Sequence, residues 1–183
     1  MGPLRHRGAR AALIGTLLAL ASGVTPALAT GSTPYVAFFP KELTTPRACP
    51  AGTPPGAFCY TGQDHSNLGK SVPPGGRATE DFSGFVDLNS PQPGACPDGS
   101  TGFPDHNDVT ITTVHGKLFL TTDGLACGLG APTTTDDGTW HAFGGTGIFS
   151  GASGSGKVHT DGTPNADGTI SSSSTYKGTL NLN

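Results

Sequence analysis

The chain has 183 residues, with 10 Lys or Arg against 13 Asp or Glu, for a formal net charge of −3. The charges are scattered and form no basic stripe, which excludes the electrostatic footprint that nucleic acid binding needs. With 29 Gly and 16 Pro the composition approaches that of disordered chains, so any fold must rest on apolar patterning and on cysteines.

The first stretch reads as a leader. Arg5, His6, Arg7 and Arg10 form a basic n-region, residues 11–24 an apolar core, and Ala27-Leu28-Ala29 the small residues that a signal peptidase needs. The apolar run is shorter than the roughly 20 residues that span a bilayer. It carries no twin arginine, and no cysteine stands just after the expected cut. Residues 1–29 are therefore expected to be a signal peptide, and residues 30–183 a secreted protein with no membrane attachment after cleavage. Without the three leader arginines, seven Lys or Arg face all 13 acids, a formal charge of −6. That length suits one domain.

Cys49, Cys59, Cys96 and Cys127 all lie in the mature part. None forms a Cys-x-x-Cys pair, and no histidine sits at zinc-finger spacing, so no metal is expected from them. An even count in an exported chain reads as two disulfides, which three pairings could satisfy. Local closure favours Cys49–Cys59 around a proline-rich loop, leaving Cys96–Cys127.

In chain order, residues 35–39 (YVAFF) predict a short strand stopped by Pro40, and the Pro/Gly-rich residues 44–77 a loop held by the first disulfide. Residues 78–88 alternate with period two. Ala78, Phe82, Val86 and Leu88 form an apolar face, and one carboxylate, Glu80, shares it. Residues 90–107 read as a second loop, and the segment 98–108 holds oxygen ligands that suit calcium but lack the EF-hand spacing. Residues 108–124 predict a hairpin with His115-Gly116 at its turn. Glycine-punctuated strands continue to the C-terminus. About eight short strands and no helical period after the leader define an all-β chain, with a strand and a disulfide-tied region over 30–77 and the barrel body over 78–183.

Residues 151–157 (GASGSGK) match the Walker pattern, but Val158 stands where a magnesium-binding Ser or Thr is required, and no helix signal follows. The glycines read instead as bends and close approaches in a curved sheet. The nucleophile elbow G-x-S-x-G is absent. His65, His106, His115, His141 and His159 read as surface residues, and no cofactor motif is found.

The run Gly144, Gly145, Thr146, Gly147, Ile148, Phe149, Ser150, Gly151, Ala152 resembles the glycine-rich signature shared by dirigent proteins and allene oxide cyclases. The resemblance extends over residues 78–183 and is specific over about a dozen of them. It implies a closed eight-stranded antiparallel barrel of the allene oxide cyclase type, calycin-like in shape. It also implies association through the outer face into a homo-oligomer, and a small apolar ligand inside the barrel. The four-cysteine N-terminal region departs from the plant members, and the leader and composition point to a bacterial relative.

The signature is structural, so it assigns no catalytic residue. Two functions follow from it: a non-catalytic binding or scaffold protein, favoured because no catalytic constellation is visible, and a cyclase or isomerase acting on an apolar molecule. Glu80 is the one candidate for chemistry. Its burial on an apolar face would need a partner or a proton, whereas a place at the barrel mouth would leave it solvated, and the second is favoured. Edman degradation of exported protein is expected to begin at Thr30; a sequence beginning at Met1 would refute the cleavage site.

Overall fold

The computed structural model describes residues 31–182; the expected signal peptide, residues 1–29, and its expected cleavage site lie outside the described residues. Nine strands form one antiparallel sheet: β1 (Gly31–Pro46), β2 (Phe58–Asp64), β3 (Lys70–Val72), β4 (Ala78–Val86), β5 (Phe103–Thr113), β6 (Gly116–Cys127), β7 (Thr134–Gly145), β8 (Ser153–Pro164) and β9 (Ile170–Leu182). The order β2-β4-β5-β6-β7-β8-β9-β1 closes on itself, because the end of β1 pairs with β2 from Leu43↔Gln63 to Pro46↔Tyr60. The result is a closed eight-stranded barrel, with β3 as a ninth strand laid along β1.

Several sequence expectations change at this point. Pro40 does not stop the first strand: β1 shifts register between Phe39 and Glu42 and continues to Pro46. A bulge absorbs the residue that cannot join the ladder, and it bends the strand. Residues 44–77 hold the end of β1 with β2 and β3, so the barrel wall begins well before residue 78. The hairpin turn is Val114-His115 rather than His115-Gly116, since Thr113 pairs with Gly116. The register still sets Val109 opposite Leu120 and Ile111 opposite Leu118, all four buried. Residues 103–108 belong to β5, so the expected 98–108 loop is half strand, with Asp105 and Asn107 turned inward.

Cys49–Cys59 and Cys96–Cys127 are both formed, and no free cysteine is present among the described residues. The first bridge ties the β1–β2 connection to β2. The second ties the loop after β4 to the end of β6. Two disulfides are compatible with an extracellular protein, and no described helix is long and apolar enough to cross a membrane.

Period-two alternation fills the lower barrel with Tyr35, Phe39, Ile111, Leu118, Leu120, Trp140 and Leu180, all fully buried. Trp140 explains much of the glycine. A Cβ at Gly156 would come within 2.6 Å of its Nε1, and one at Gly178 within 2.7 Å of its Cζ2. Paired across β8 and β9, these two glycines form the floor on which the indole lies. The Walker-like run is thus a wall strand, and Lys157 is exposed on its outer side opposite Lys177.

The signature run that precedes β8 closes the end of the barrel marked by the β5–β6 turn. Thr146 N–H donates to Lys117 O at 2.8 Å, and Lys117 N–H donates to Thr146 Oγ1 at 3.1 Å. A short 3-10 turn (Gly147–Phe149) then drives Phe149 into the core, where it is fully buried. Gly151 leaves this turn with φ +70°, a left-handed conformation that a β-branched residue resists.

Gly151→Val is expected to lower stability by about 1–3 kcal/mol in thermal melts. Lys157→Ala is expected to change it by less than about 1 kcal/mol, as for other exposed charges. Stabilisation of the parent by ATP and magnesium, lost in Lys157→Ala, would restore the phosphate-loop reading.

Candidate functional site

The upper half of the barrel is not filled. A cavity of about 120 Å³ lies among the ends of the strands opposite the Phe149 plug. Phe58 and Leu129, both partly exposed, stand at its rim. Both disulfides brace this end: Cys59 precedes Tyr60, and Cys127 follows Ala126, two residues of the cavity wall.

One wall is aromatic. Phe58, Tyr60 and Phe82 step down it, with ring centroids 6.2 Å and 6.3 Å apart. Gly62 makes room for the Phe82 ring, which covers the space a side chain there would occupy. The rest of the lining is largely acidic and hydroxylated. Glu42 and Thr44 reach it from β1, Asp105 and Asn107 from β5, Asp136 from β7, and Ser172 and Ser174 from β9.

The carboxyl groups come in pairs. Glu80 Oε1 accepts from the Tyr176 hydroxyl at 2.6 Å, and Glu42 Oε2 accepts from Ser172 at 2.8 Å. The remaining oxygens, Glu42 Oε1 and Glu80 Oε2, have no other donor, and the two side chains hydrogen-bond each other. A proton shared between them satisfies both, since two carboxylates cannot stay ionised so close together in a dry interior. Burial first, and then the neighbouring Glu42, push Glu80 well above the usual carboxylate range.

Asp105 and Asp136 repeat the arrangement nearer the mouth. Asp105 Oδ2 accepts from the Tyr60 hydroxyl at 2.8 Å and from Asn107 Nδ2 at 2.9 Å. Its Oδ1 and that of Asp136 have no other donor and meet over Gly124, where a Cβ would collide with Asp136 Oδ1 and lie 2.8 Å from Asp105 Oδ1. Burial, and then the charge of Asp105, raise Asp136 to about 8. Burial likewise raises Asp105.

Glu80, the single candidate read from the sequence, is therefore not solvated at the mouth: it is fully buried one step beneath the cavity, bonded to two residues that line it. The alternation of β4 places it inward, and the inward-facing Tyr176 on β9 supplies its donor. The signature residues Gly144, Gly145, Thr146, Gly147, Phe149 and Gly151 lie at the opposite end and take no part. Sequence reasoning missed Glu42, because the bulge resets the parity of β1, and missed Asp105 and Asp136, because each sits in a polar, turn-like stretch. The signal available was the period-two series Asp105, Asn107, Val109, Ile111, which continues the apolar face of β5.

No group of three or more His, Cys, Asp or Glu arranged to hold a metal ion is found among the described residues. On the outer surface His65, His106 and His159 pair with Asp81, Asp123 and Asp137 at 2.9, 2.7 and 2.7 Å, while His115 and His141 are exposed. These features define the protein as a closed antiparallel barrel with one plugged end and one hollow, acidic end. No family model matches the chain, and no curated protein or solved structure matches it either.

The acid pairs set a pH dependence of stability. Folded Asp136 keeps its proton up to about pH 8, whereas the unfolded chain releases it near the ordinary aspartate value of 3.8. Stability is thus fullest below the lower value and declines as pH rises through this window. Raising the pKa of His159, chiefly through its bond to Asp137, acts in the same sense, because its stabilising charge is also lost as pH rises. Asp136→Asn removes one titration and is expected to raise stability near pH 8 by about 1–3 kcal/mol with little change near pH 4. Melting curves across that range are the check; a parent that gains stability towards alkaline pH would contradict the shared protons.

Proposed function

We propose that this chain is a secreted barrel protein, related to the allene oxide cyclase and dirigent proteins, that binds a small molecule at its hollow end. The observation that carries this reading is the cavity itself, with an aromatic wall and convergent polar groups, the usual anatomy of a small-molecule site. Its mixed lining shifts the expected ligand from wholly apolar to amphipathic. Secretion is supported by the leader and by the two disulfides.

A second reading, an isomerase or cyclase, is favoured by one observation. Asp136, raised to about 8 and hydrogen-bonded to Asp105, is poised to give or take a proton near neutral pH, which general acid–base catalysis requires. Binding is preferred because three hydroxyls that line the cavity, those of Tyr60, Ser172 and Tyr176, are already donated to carboxyl groups of the wall and floor.

Native mass spectrometry of exported protein from its own host is expected to show a co-purifying small molecule. Thr44→Phe, which fills the cavity from β1, should lose that adduct. Recovery of the molecule unchanged after incubation supports binding; its conversion to an isomer supports catalysis. Absence of any adduct, with melting unaffected by the substitution, would count against both.

A further inference from the structure

We propose that the cavity selects ligands bearing a protonated amine, held between the acid pairs and the aromatic wall. The proposal rests on the small-molecule reading above and names the ligand class for the same site.

Three observations point to a cation. First, the described residues that line the cavity include Glu42, Asp105 and Asp136 but no Lys, Arg or His. The nearby basic groups are on the outer face: Lys157 is exposed, and His106 and His159 are paired there with Asp123 and Asp137. Second, among the described residues the buried polar atoms in and just beneath the cavity that lack a partner, Glu42 Oε1, Glu80 Oε2, Asp105 Oδ1, Asn107 Oδ1 and Asp136 Oδ1, are all acceptor oxygens. The facing carboxyl oxygens are satisfied only while each pair retains a proton. Asn107 Oδ1 has no partner even then, although Asn107 is 92% buried and lines the cavity. An ammonium group brings three donors and the compensating charge. Third, Phe58, Tyr60 and Phe82 present ring surfaces across the same space, and an amine against such faces gains cation–π attraction while its carbon body is buried.

Binding then displaces a proton. The groups that face the acids are acidic or phenolic: Glu80 and Asp64 act on Glu42, Tyr60 and Asp136 on Asp105, and Asp105 and Asp137 on Asp136. Hydrogen bonds from Asp136, Tyr60 and Asn107, and after them the half-buried His106, act in the opposite sense on Asp105, as Ser174 and Ser172 do on Glu42. An incoming cation replaces the shared proton of a pair, so affinity rises with pH until the amine itself loses its proton.

The test is calorimetric titration of the exported protein with benzylamine, benzyl alcohol and benzoate, three probes of similar size and different charge. Benzylamine is expected to bind at least about tenfold more tightly than benzyl alcohol, to release protons into the buffer, and to tighten from about pH 6 to about pH 8. Asp136→Asn and Glu42→Gln should each reduce the preference for the amine while retaining benzyl alcohol. If benzyl alcohol or benzoate binds as well as benzylamine, the amine inference fails and the cavity reading stands. If none of the three binds, both fail.

Discussion

Closure of the sheet through β1 is the constraint on which everything else depends. One strand of 16 residues pairs with β9 along most of its length, with β3 on its other side near the start, and with β2 at its end. Its pairing with β9 continues on both sides of the bulge between Phe39 and Glu42, while on its other edge β3 before the bulge gives way to β2 after it. A closed sheet leaves no free edge among the eight strands of the barrel, and its interior is cut off from water along the sides. The same bulge converts the apolar series Tyr35, Ala37, Phe39 into the polar pair Glu42, Thr44 on the inner face. Interior polarity along β1 is thus set by one irregularity.

Inside, the barrel divides into unlike halves. The lower half is packed around Trp140, edge-on to Tyr35 with ring centroids 5.4 Å apart, and the floor of glycines lets the indole lie close to the wall. A chain so rich in glycine gains from this, because each missing Cβ is replaced by an aromatic ring rather than by a void. The upper half exchanges packing for polarity. Buried carboxyl groups are costly unless paired or protonated, and pairing two acids through one proton is the arrangement this interior uses. An interior that holds protons at a cost to stability is well suited to a ligand that can replace them, which links the pH dependence of folding to the proposed binding.

The strand pattern was legible because β-structure writes itself locally. Val109, Ile111, Leu118 and Leu120 alternate so regularly that the hairpin and its facing residues follow from period two alone, and the turn was misplaced by only one residue. Glu80 stood out for the same reason, as a carboxylate on an apolar face. Its environment did not follow, since Tyr176 lies 96 residues away and Glu42 reaches it only after the bulge.

By itself the sequence determined the class of fold, the two disulfides as a count and, by local closure, their pairing, and the exclusion of a phosphate loop by Val158. These depend on residue type, short spacing and turn chemistry. The tertiary structure alone decided that the proline-rich segment before residue 78 supplies one strand of the wall, β2, and the end of another, β1. It also decided that Asp105 meets Asp136 over Gly124, and that one end of the barrel is plugged while the other is hollow. Each of these is a contact between strands remote in the chain, fixed by register and closure, and no local pattern encodes which inward-facing residues will share one layer of a closed barrel.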